Sequence, residues 1–89
     1  MRTADYTNQF KKDYKLAVKR GLNITLLDNI IRDLINEVAL SAKNREHYLT
    51  GEYKYCRECH IQPDWLLIYQ IRDNTVLLYR TGSHSDLFR

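Results

Sequence analysis

The stretch from Arg57 to Tyr69 reads Arg-Glu-Cys-His-Ile-Gln-Pro-Asp-Trp-Leu-Leu-Ile-Tyr, and the rest of the predicted fold is organised around it. A histidine, a carboxylate and an indole surround the only proline of the sequence, directly before its most apolar strand-like run. The segment from Arg80 to Phe88 resembles this stretch. Each of the two carries an arginine and a histidine and is connected to a β-type run. Both segments are predicted to deliver polar side chains to the rim of a sheet.

Three β-type runs make up the C-terminal half, over residues 52–60, 65–72 and 75–81. Asp73 and Asn74 separate the last two runs and favour a two-residue hairpin turn, since both residue types tolerate positive φ. That turn predicts Arg72 opposite Thr75 and Leu67 opposite Arg80, unless a β-bulge shifts the register. The last two runs are apolar on both faces, as expected for central strands that are packed on both sides.

The N-terminal half predicts a short strand over residues 2–6 followed by two amphipathic helices. The first helix is capped by Thr7 or Asn8 and ends at Gly21, with an apolar stripe made of Phe10, Tyr14, Ala17 and Val18. The second begins near Asn23 or Thr25, where Thr25 and Asp28 resemble a capping box. Its wide apolar face predicts the helix that covers the sheet and consists of Leu27, Ile30, Ile31, Leu34, Ile35 and Val38.

Size and charge limit the classes of protein that this chain can represent. Its 89 residues correspond to one domain spanning residues 1–89. The net charge is +3, and cations cluster in the first helix at Lys11, Lys12, Lys15 and Lys19, which fits either a nucleic-acid contact or a solvated helix face. The sequence lacks the apolar run of a membrane helix and the apolar core of a signal peptide, so we expect a cytoplasmic protein without membrane contact. It also lacks Gly-rich phosphate-loop, serine-hydrolase and zinc-protease motifs.

The cysteines form the string Cys56-Arg-Glu-Cys59-His60, which matches a haem-attachment pattern. Haem attachment would require export, and a zinc site usually needs a second ligand pair. Residues three apart on a strand also point to opposite faces. We therefore expect reduced, structural thiols, and no metal or cofactor.

The three histidines, His47, His60 and His84, all lie in predicted loops or at strand ends. Histidine exchanges protons near neutral pH, so together with Asp64 and Arg80 they suggest one site for acid–base chemistry. Arginine can hold a phosphate bidentately, but a sheet-face arginine is equally expected to pair with a carboxylate. Aromatic side chains that could stack unpaired bases, or belong to the core, are Trp65, Tyr48, Tyr53, Tyr55 and Tyr69.

Three motifs together resemble the YafQ branch of the RelE superfamily. They are His47-Tyr-Leu-Thr-Gly51, the stretch from Arg57 to Tyr69, and Arg80-Thr-Gly-Ser-His84-Ser-Asp-Leu-Phe88. The resemblance implies a toxin of a bacterial type II toxin–antitoxin system that acts as a ribosome-dependent mRNA endonuclease. It also implies an α+β, RelE-like microbial RNase fold, with two N-terminal helices on a small antiparallel sheet made of the N-terminal strand and a C-terminal three-stranded meander.

The resemblance assigns catalysis or mRNA binding to His47, His60, Asp64, Arg80, His84 and Phe88, with Trp65 beside them. RNA cleavage by its own 2′-hydroxyl needs a base, an acid and a cation. We take Arg80 as the phosphate clamp and His84 as the acid, with His47, His60 or Asp64 as the base. Arg57 and Trp65 are expected to contact RNA, and Lys11, Lys12 and Lys15 to contact ribosomal RNA.

The partners that the resemblance implies are a cognate antitoxin, the ribosomal A site with its mRNA, and operator DNA through the antitoxin complex alone. The alternative is a non-catalytic module of the same fold that binds an antitoxin-like partner or RNA. Such a module would share the apolar framework and would not need the histidines.

Overall fold

A computed structural model describes residues 1–88 and has the α+β class that the sequence predicts. A five-stranded sheet is joined to two long helices and one short one. The elements are β1 (Thr3–Tyr6), α1 (Asn8–Lys19), α2 (Ile24–Ile35), β2 (His47–Tyr48), β3 (Arg57–Gln62), β4 (Trp65–Arg72), β5 (Thr75–Gly82) and α3 (His84–Leu87). Single 3₁₀ turns occupy Ala42–Asn44 and Gly51–Tyr53. Within residues 1–88, no helix is long and apolar enough to cross a bilayer.

The sheet has the strand order β1-β5-β4-β3-β2 and is mixed. Strands β2 to β5 pair antiparallel, whereas β1 runs parallel to β5, with Thr3 beside Thr75 and Tyr6 beside Leu78. The expected all-antiparallel sheet is therefore wrong at its N-terminal strand. A parallel pair needs a long crossover connection, and the chain from α1 to β4 supplies it.

The two long helices begin as the sequence predicts, although their details differ. The Thr7 hydroxyl caps α1 by accepting a hydrogen bond from the Phe10 N–H at 2.9 Å. The proposed capping box of α2 is wrong, since Asn23 is the N-cap residue and the Asp28 carboxylate accepts from the Tyr14 hydroxyl at 2.9 Å. Val38 lies beyond the end of α2 and is exposed.

Apolar side chains pack on both faces of the sheet, as predicted. The face that packs against α1 and α2 is here called the helix face. The core layer between it and the two helices is the larger one and contains Phe10, Ala17, Leu27, Ile30, Ile31, Leu34, Cys59, Ile61, Trp65, Leu67, Tyr69, Val76 and Leu78. The opposite face, here called the second face, buries Tyr53, Cys56, Leu66, Ile68 and Leu87 under the 51–56 loop and α3. Strand β4 is thus buried on both sides and holds the two layers together.

The meander differs from its prediction at two places. Strand β3 starts at Arg57 instead of residue 52, because Gly51 and Tyr55 adopt positive φ angles of 72° and 74° and interrupt the extended chain. The hairpin turn is as predicted, with Arg72 opposite Thr75, but the register shifts next to Tyr69. Leu67 therefore pairs with Thr81 and Ile68 with Arg80, so Arg80 takes a register position beside the second-face residue Ile68 while its side chain reaches Asp13 of α1.

Candidate active site

The three histidines lie in one row on the second face of the sheet, and Phe88 extends that row. The ring centroids of His47 and His60 are 6.5 Å apart, and those of His60 and His84 are 5.8 Å apart. The Phe88 ring follows at 6.5 Å from His84. Strand β2, strand β3 and the first residue of α3 each contribute one histidine, so the sheet brings together residues that are far apart in the sequence. We call His47, His60 and His84 the histidine row.

Asp64 fixes the orientation of His84. Its Oδ1 accepts hydrogen bonds from His84 Nδ1 at 2.7 Å and from the His84 backbone N–H at 3.0 Å. These two bonds hold the pKa of the Asp64 carboxyl below its usual range. A carboxylate only accepts, so Nδ1 carries a proton and Nε2 is the atom left to exchange protons with a ligand.

Glu58 lies between the other two histidines and contacts both of them. It was not predicted as a site residue from the sequence. Its side chain is buried, and Oε1 lies 3.4 Å from His47 Nε2 and 3.6 Å from His60 Nε2. The Nδ1 atoms of both rings face carbonyl oxygens, of Arg45 at 2.8 Å and of Pro63 at 3.3 Å, so Nδ1 is the donor in each ring. A proton taken up at either Nε2 would therefore meet a carboxylate. The signal in the sequence is the spacing of Glu58 and His60, which puts both on one face of β3.

Arg80 forms a bidentate ion pair with Asp13 of α1. Arg80 Nε donates to Oδ2 at 2.8 Å and Nη2 donates to Oδ1 at 3.2 Å, and the Thr81 N–H adds a bond to Oδ2 at 3.2 Å. The hydrogen bond to Asp13 is the main reason that the pKa of Arg80 is raised. The sequence left open whether Arg80 binds a phosphate or pairs with a carboxylate, and the pairing with a carboxylate is present. Asp13 was overlooked although it lies three residues after Phe10, within the apolar stripe of α1.

Trp65 belongs to the core and does not offer its ring to a base. It is 3% exposed, and its Nε1 donates to the Thr81 hydroxyl at 3.0 Å. Thr81 in turn donates to the Leu66 carbonyl at 2.7 Å. The expected RNA contact of Trp65 is therefore corrected to a supporting role, in which the indole fixes the strand that carries Arg80.

Phe88 and the candidate RNA-binding cations lie in different places. Phe88 is 41% exposed and packs edge-on against Tyr53 at 5.6 Å, beside the histidine row. Arg57 points away from that row, since it alternates with Glu58, and it contacts the ring of Tyr48 instead. The exposed α1 residues Lys11, Lys12 and Lys15 belong to the helix layer, on the other side of the sheet.

Both cysteines are buried and unbonded. Burial raises the pKa of the Cys59 thiol to about 12 and raises that of Cys56 as well, so neither is a ready nucleophile. Among residues 1–88, no group of three or more His, Cys, Asp or Glu side chains is arranged to hold a metal ion.

The four-residue helix α3 presents His84 and is held by its own capping box. Ser83 Oγ accepts from the Asp86 N–H at 3.1 Å, and Asp86 Oδ2 accepts from the Ser83 N–H at 2.9 Å. Arg20, the residue that follows α1, donates to the same Oδ2 at 2.8 Å. A Cβ atom on Gly82 would lie 2.9 Å from the Asp86 Cβ, so glycine is required for this close approach. Arg20, and then the Ser83 N–H, lower the pKa of Asp86 from 3.8 to about 2.

We expect the Asp86→Asn substitution to remove part of the acid sensitivity of the fold. A carboxyl whose pKa is lower in the folded state stabilises that state above its unfolded pKa, and the contribution disappears as the pH falls. For Asp86 this stabilising contribution is lost as the pH falls from 3.8 to about 2. Over that window the melting temperature should fall less steeply in Asp86→Asn than in wild type. Asp5→Asn, which removes an exposed carboxylate of β1, is the control and should keep the wild-type slope; an equally steep fall in both variants would contradict the role of Asp86.

Comparison with known proteins identifies this architecture. The family model described as the bacterial toxin of type II toxin–antitoxin system, YafQ, matches residues 2–89. The mRNA interferase toxin YafQ of Escherichia coli strain K12 is 40% identical over 88 residues, covering 98% of this chain and 96% of that protein. The toxin of the E. coli DinJ-YafQ toxin-antitoxin complex superposes with a TM-score of 0.92 at 39% identity, covering 99% of this chain and 98% of that one. A metal-bound toxin from Helicobacter pylori gives a TM-score of 0.91 at 44% identity, covering 99% and 100%.

The fold, the histidine row and these relatives define a small α+β toxin of a bacterial type II toxin–antitoxin system. Within that class, the chain belongs to the YafQ family. The family resemblance that the three sequence motifs indicated is confirmed.

Proposed function

We propose that this toxin is an mRNA-cleaving endoribonuclease that acts on the ribosome and thereby inhibits translation. The observation that carries the proposal is the histidine row, in which two imidazole rings with carboxylate partners lie 5.8 Å apart, the His84 side chain being 53% exposed and that of His60 13% exposed. The E. coli relative at 40% identity is named an mRNA interferase. Imidazole pairs of this kind suit a reaction that takes a proton from one oxygen and gives one to another.

His84 and His60 are assigned as the acid and the base. The 2′-hydroxyl attacks the adjacent phosphorus while the 5′-oxygen leaves, so the proton donor and acceptor must stand on two sides of the phosphate. His60 takes the 2′-hydroxyl proton at Nε2, where Glu58, 3.6 Å away, stabilises the imidazolium. His84 gives its Nε2 proton to the 5′-oxygen, while Asp64 holds the ring through Nδ1. His47 shares Glu58 with His60 and supports the base from the end of the row.

Arg80 supplies positive charge to the phosphate as it gains negative charge in the transition state. Its bonds to Asp13 use Nε and Nη2, so Nη1 is the guanidinium nitrogen that this ion pair leaves for a phosphate oxygen. Phe88 lies beside His84 with part of its ring exposed, and it stacks on a base next to the cut. Trp65 acts indirectly, by fixing the strand of Arg80.

The partners follow from this activity and from the relatives. A cognate antitoxin binds the toxin, as in the DinJ-YafQ complex, and operator DNA is bound through that complex alone. Lys11, Lys12 and Lys15 contact ribosomal RNA by salt-sensitive electrostatics. The site of action is the ribosomal A site in the cytoplasm.

We expect new RNA ends at in-frame codon positions when antitoxin-free toxin is added to an mRNA in a bacterial translation extract. Primer extension reads these ends. They should vanish when initiation is blocked, because the proposed substrate is mRNA held in the A site, and they should vanish with His84→Ala. Cuts that persist under blocked initiation would contradict ribosome dependence.

The chemistry of the new ends distinguishes attack by the 2′-hydroxyl from cleavage that leaves a 5′-phosphate. The distinction matters because one relative is a metal-bound toxin. Attack by the 2′-hydroxyl leaves a 5′-hydroxyl fragment, which a polynucleotide kinase labels directly. A 2′-deoxy nucleotide at the cut position should abolish cleavage. Cleavage that survives the 2′-deoxy substitution, or 5′-phosphate ends, would defeat the proposed mechanism. Intact mRNA with folded toxin would instead favour a non-catalytic module that binds its antitoxin or RNA.

A further inference from the structure

Two of the tyrosines that the sequence marked as possible base-stacking residues are exposed. Tyr48 on β2 is 68% exposed and Tyr55 in the 51–56 loop is 70% exposed, whereas Tyr53 and Tyr69 are buried. Each exposed ring has a cation over it: Arg57 lies 4.8 Å from the Tyr48 centroid and Lys54 lies 5.2 Å from the Tyr55 centroid. We call Tyr48, Lys54, Tyr55 and Arg57 the tyrosine surface. Tyr48 and Tyr55 line one shallow depression together, and nothing in the mechanism above uses them.

The backbone at Tyr55 is strained, although its ring lies in solvent. Its φ angle is 74°, a left-handed conformation that a bulky side chain rarely adopts. Strain of this kind persists where the surrounding structure enforces it and is concentrated at functional sites. Burial does not explain the strain, because the ring is mostly exposed.

We propose that the tyrosine surface binds unpaired nucleotides of the RNA that flank the cut. The inference rests on the proposed function. Tyr48 follows His47 on the two-residue edge strand β2, so an RNA strand that leaves the histidine row at His47 can pass around that edge onto Tyr48 and Arg57. Aromatic rings interleaved with cations bind single-stranded nucleic acid by stacking and charge, with little dependence on sequence.

The local charge agrees with a polyanionic ligand. Residues 43–57 contain four cations and two carboxylates. One of those carboxylates, Glu46, is already engaged, since it accepts from the Tyr69 hydroxyl and lies 3.6 Å from Arg57 Nη1. Lys54 has no carboxylate within ion-pair distance among residues 1–88.

The test uses the affinity of full-length, antitoxin-free toxin for a fluorescein-labelled 2′-O-methyl RNA 12-mer, measured by anisotropy. This probe lacks the 2′-hydroxyl nucleophile and therefore reports binding without cleavage. Tyr48→Ala and Tyr55→Gly should each raise Kd about fivefold or more, the usual effect of removing one base-stacking ring. Tyr55→Phe keeps the ring and should bind as wild type does. Tyr6→Ala, an exposed tyrosine on the opposite edge strand, is the matched control and should leave Kd unchanged.

Thermal melting distinguishes a binding role from a structural one. Glycine adopts positive φ without strain, so Tyr55→Gly should keep or raise the melting temperature while it weakens RNA binding. Wild-type toxin that does not bind the probe, or a Tyr48→Ala/Tyr55→Gly double variant that binds it equally well, would overturn the proposal. A loss confined to antitoxin affinity would also overturn it, in favour of a protein interface. If the toxin bound the probe through these tyrosines but left translated mRNA intact, the proposed cleavage activity would be refuted. RNA binding by the tyrosine surface would still be supported.

Discussion

His84→Gln should lower the single-turnover rate of mRNA cleavage by about 10²- to 10⁴-fold, the usual contribution of one general acid or base. Glutamine has nearly the size of histidine and can still donate a hydrogen bond, but it cannot transfer a proton. Since α3 is fixed by Ser83, Asp86 and Arg20, the substitution should leave the fold and the affinity for ribosomes unchanged. A loss of only a few-fold would contradict the assignment of His84 as the acid.

The pH dependence of the rate distinguishes proton transfer from positioning. An acid must be protonated to act, so the wild-type rate should fall at high pH, and this basic limb should disappear in His84→Gln. Asp64→Asn removes the charge that faces Nδ1 but keeps an oxygen that can accept. We expect a smaller loss of about tenfold, because the Asp64 side chain is 70% exposed and its hydrogen bond is only partly shielded from water. A basic limb that is identical in wild type and His84→Gln would assign the proton to another group.

Local features of the chain were predictable because short-range chemistry determines them. Thr7 caps α1 as its hydroxyl and position indicate, and Asp73 adopts the positive φ of 54° that the hairpin turn requires. The motifs around His47, His60 and His84 also identified the residues that the fold brings into one row. For the cap and the turn, neighbours within a few residues decide the conformation, whereas the row itself is assembled by the sheet.

Features that depend on long-range packing were not predictable. The parallel pairing of β1 is decided by how the helices return the chain to the sheet. The register shift that pairs Arg80 with Ile68 instead of Leu67 involves a single residue, and alternation in the sequence does not reveal it. Glu58 and Asp13 were overlooked for the same reason: a carboxylate within an apolar pattern shows its role only when its partner arrives from another element.

The Arg80–Asp13 ion pair should be the ionic contact whose loss destabilises the fold most. The Asp13 side chain is 7% exposed and that of Arg80 is 23% exposed, so the pair is largely removed from water. Breaking a buried pair by removing one partner costs about 3–5 kcal/mol, and the partial exposure of Arg80 reduces this to about 2–3 kcal/mol for Asp13→Ala. The remaining arginine would lack a partner while the Thr81 N–H lost its acceptor. Urea denaturation measures the free energy of unfolding.

A double-mutant cycle isolates the interaction of the two side chains. Arg80→Met keeps most of the apolar stem of the arginine, and the Asp13→Ala/Arg80→Met variant should lose clearly less stability than the two single variants combined, because neither charge is then left buried alone. Glu37→Ala is the control: its carboxylate lies 3.9 Å from Arg2 and is 51% exposed, so its removal should change stability by less than about 1 kcal/mol. Additive losses in the cycle, or an Asp13→Ala variant as stable as Glu37→Ala, would show that the pair contributes nothing to the fold. Arg80 would then be positioned by its strand and Trp65 alone.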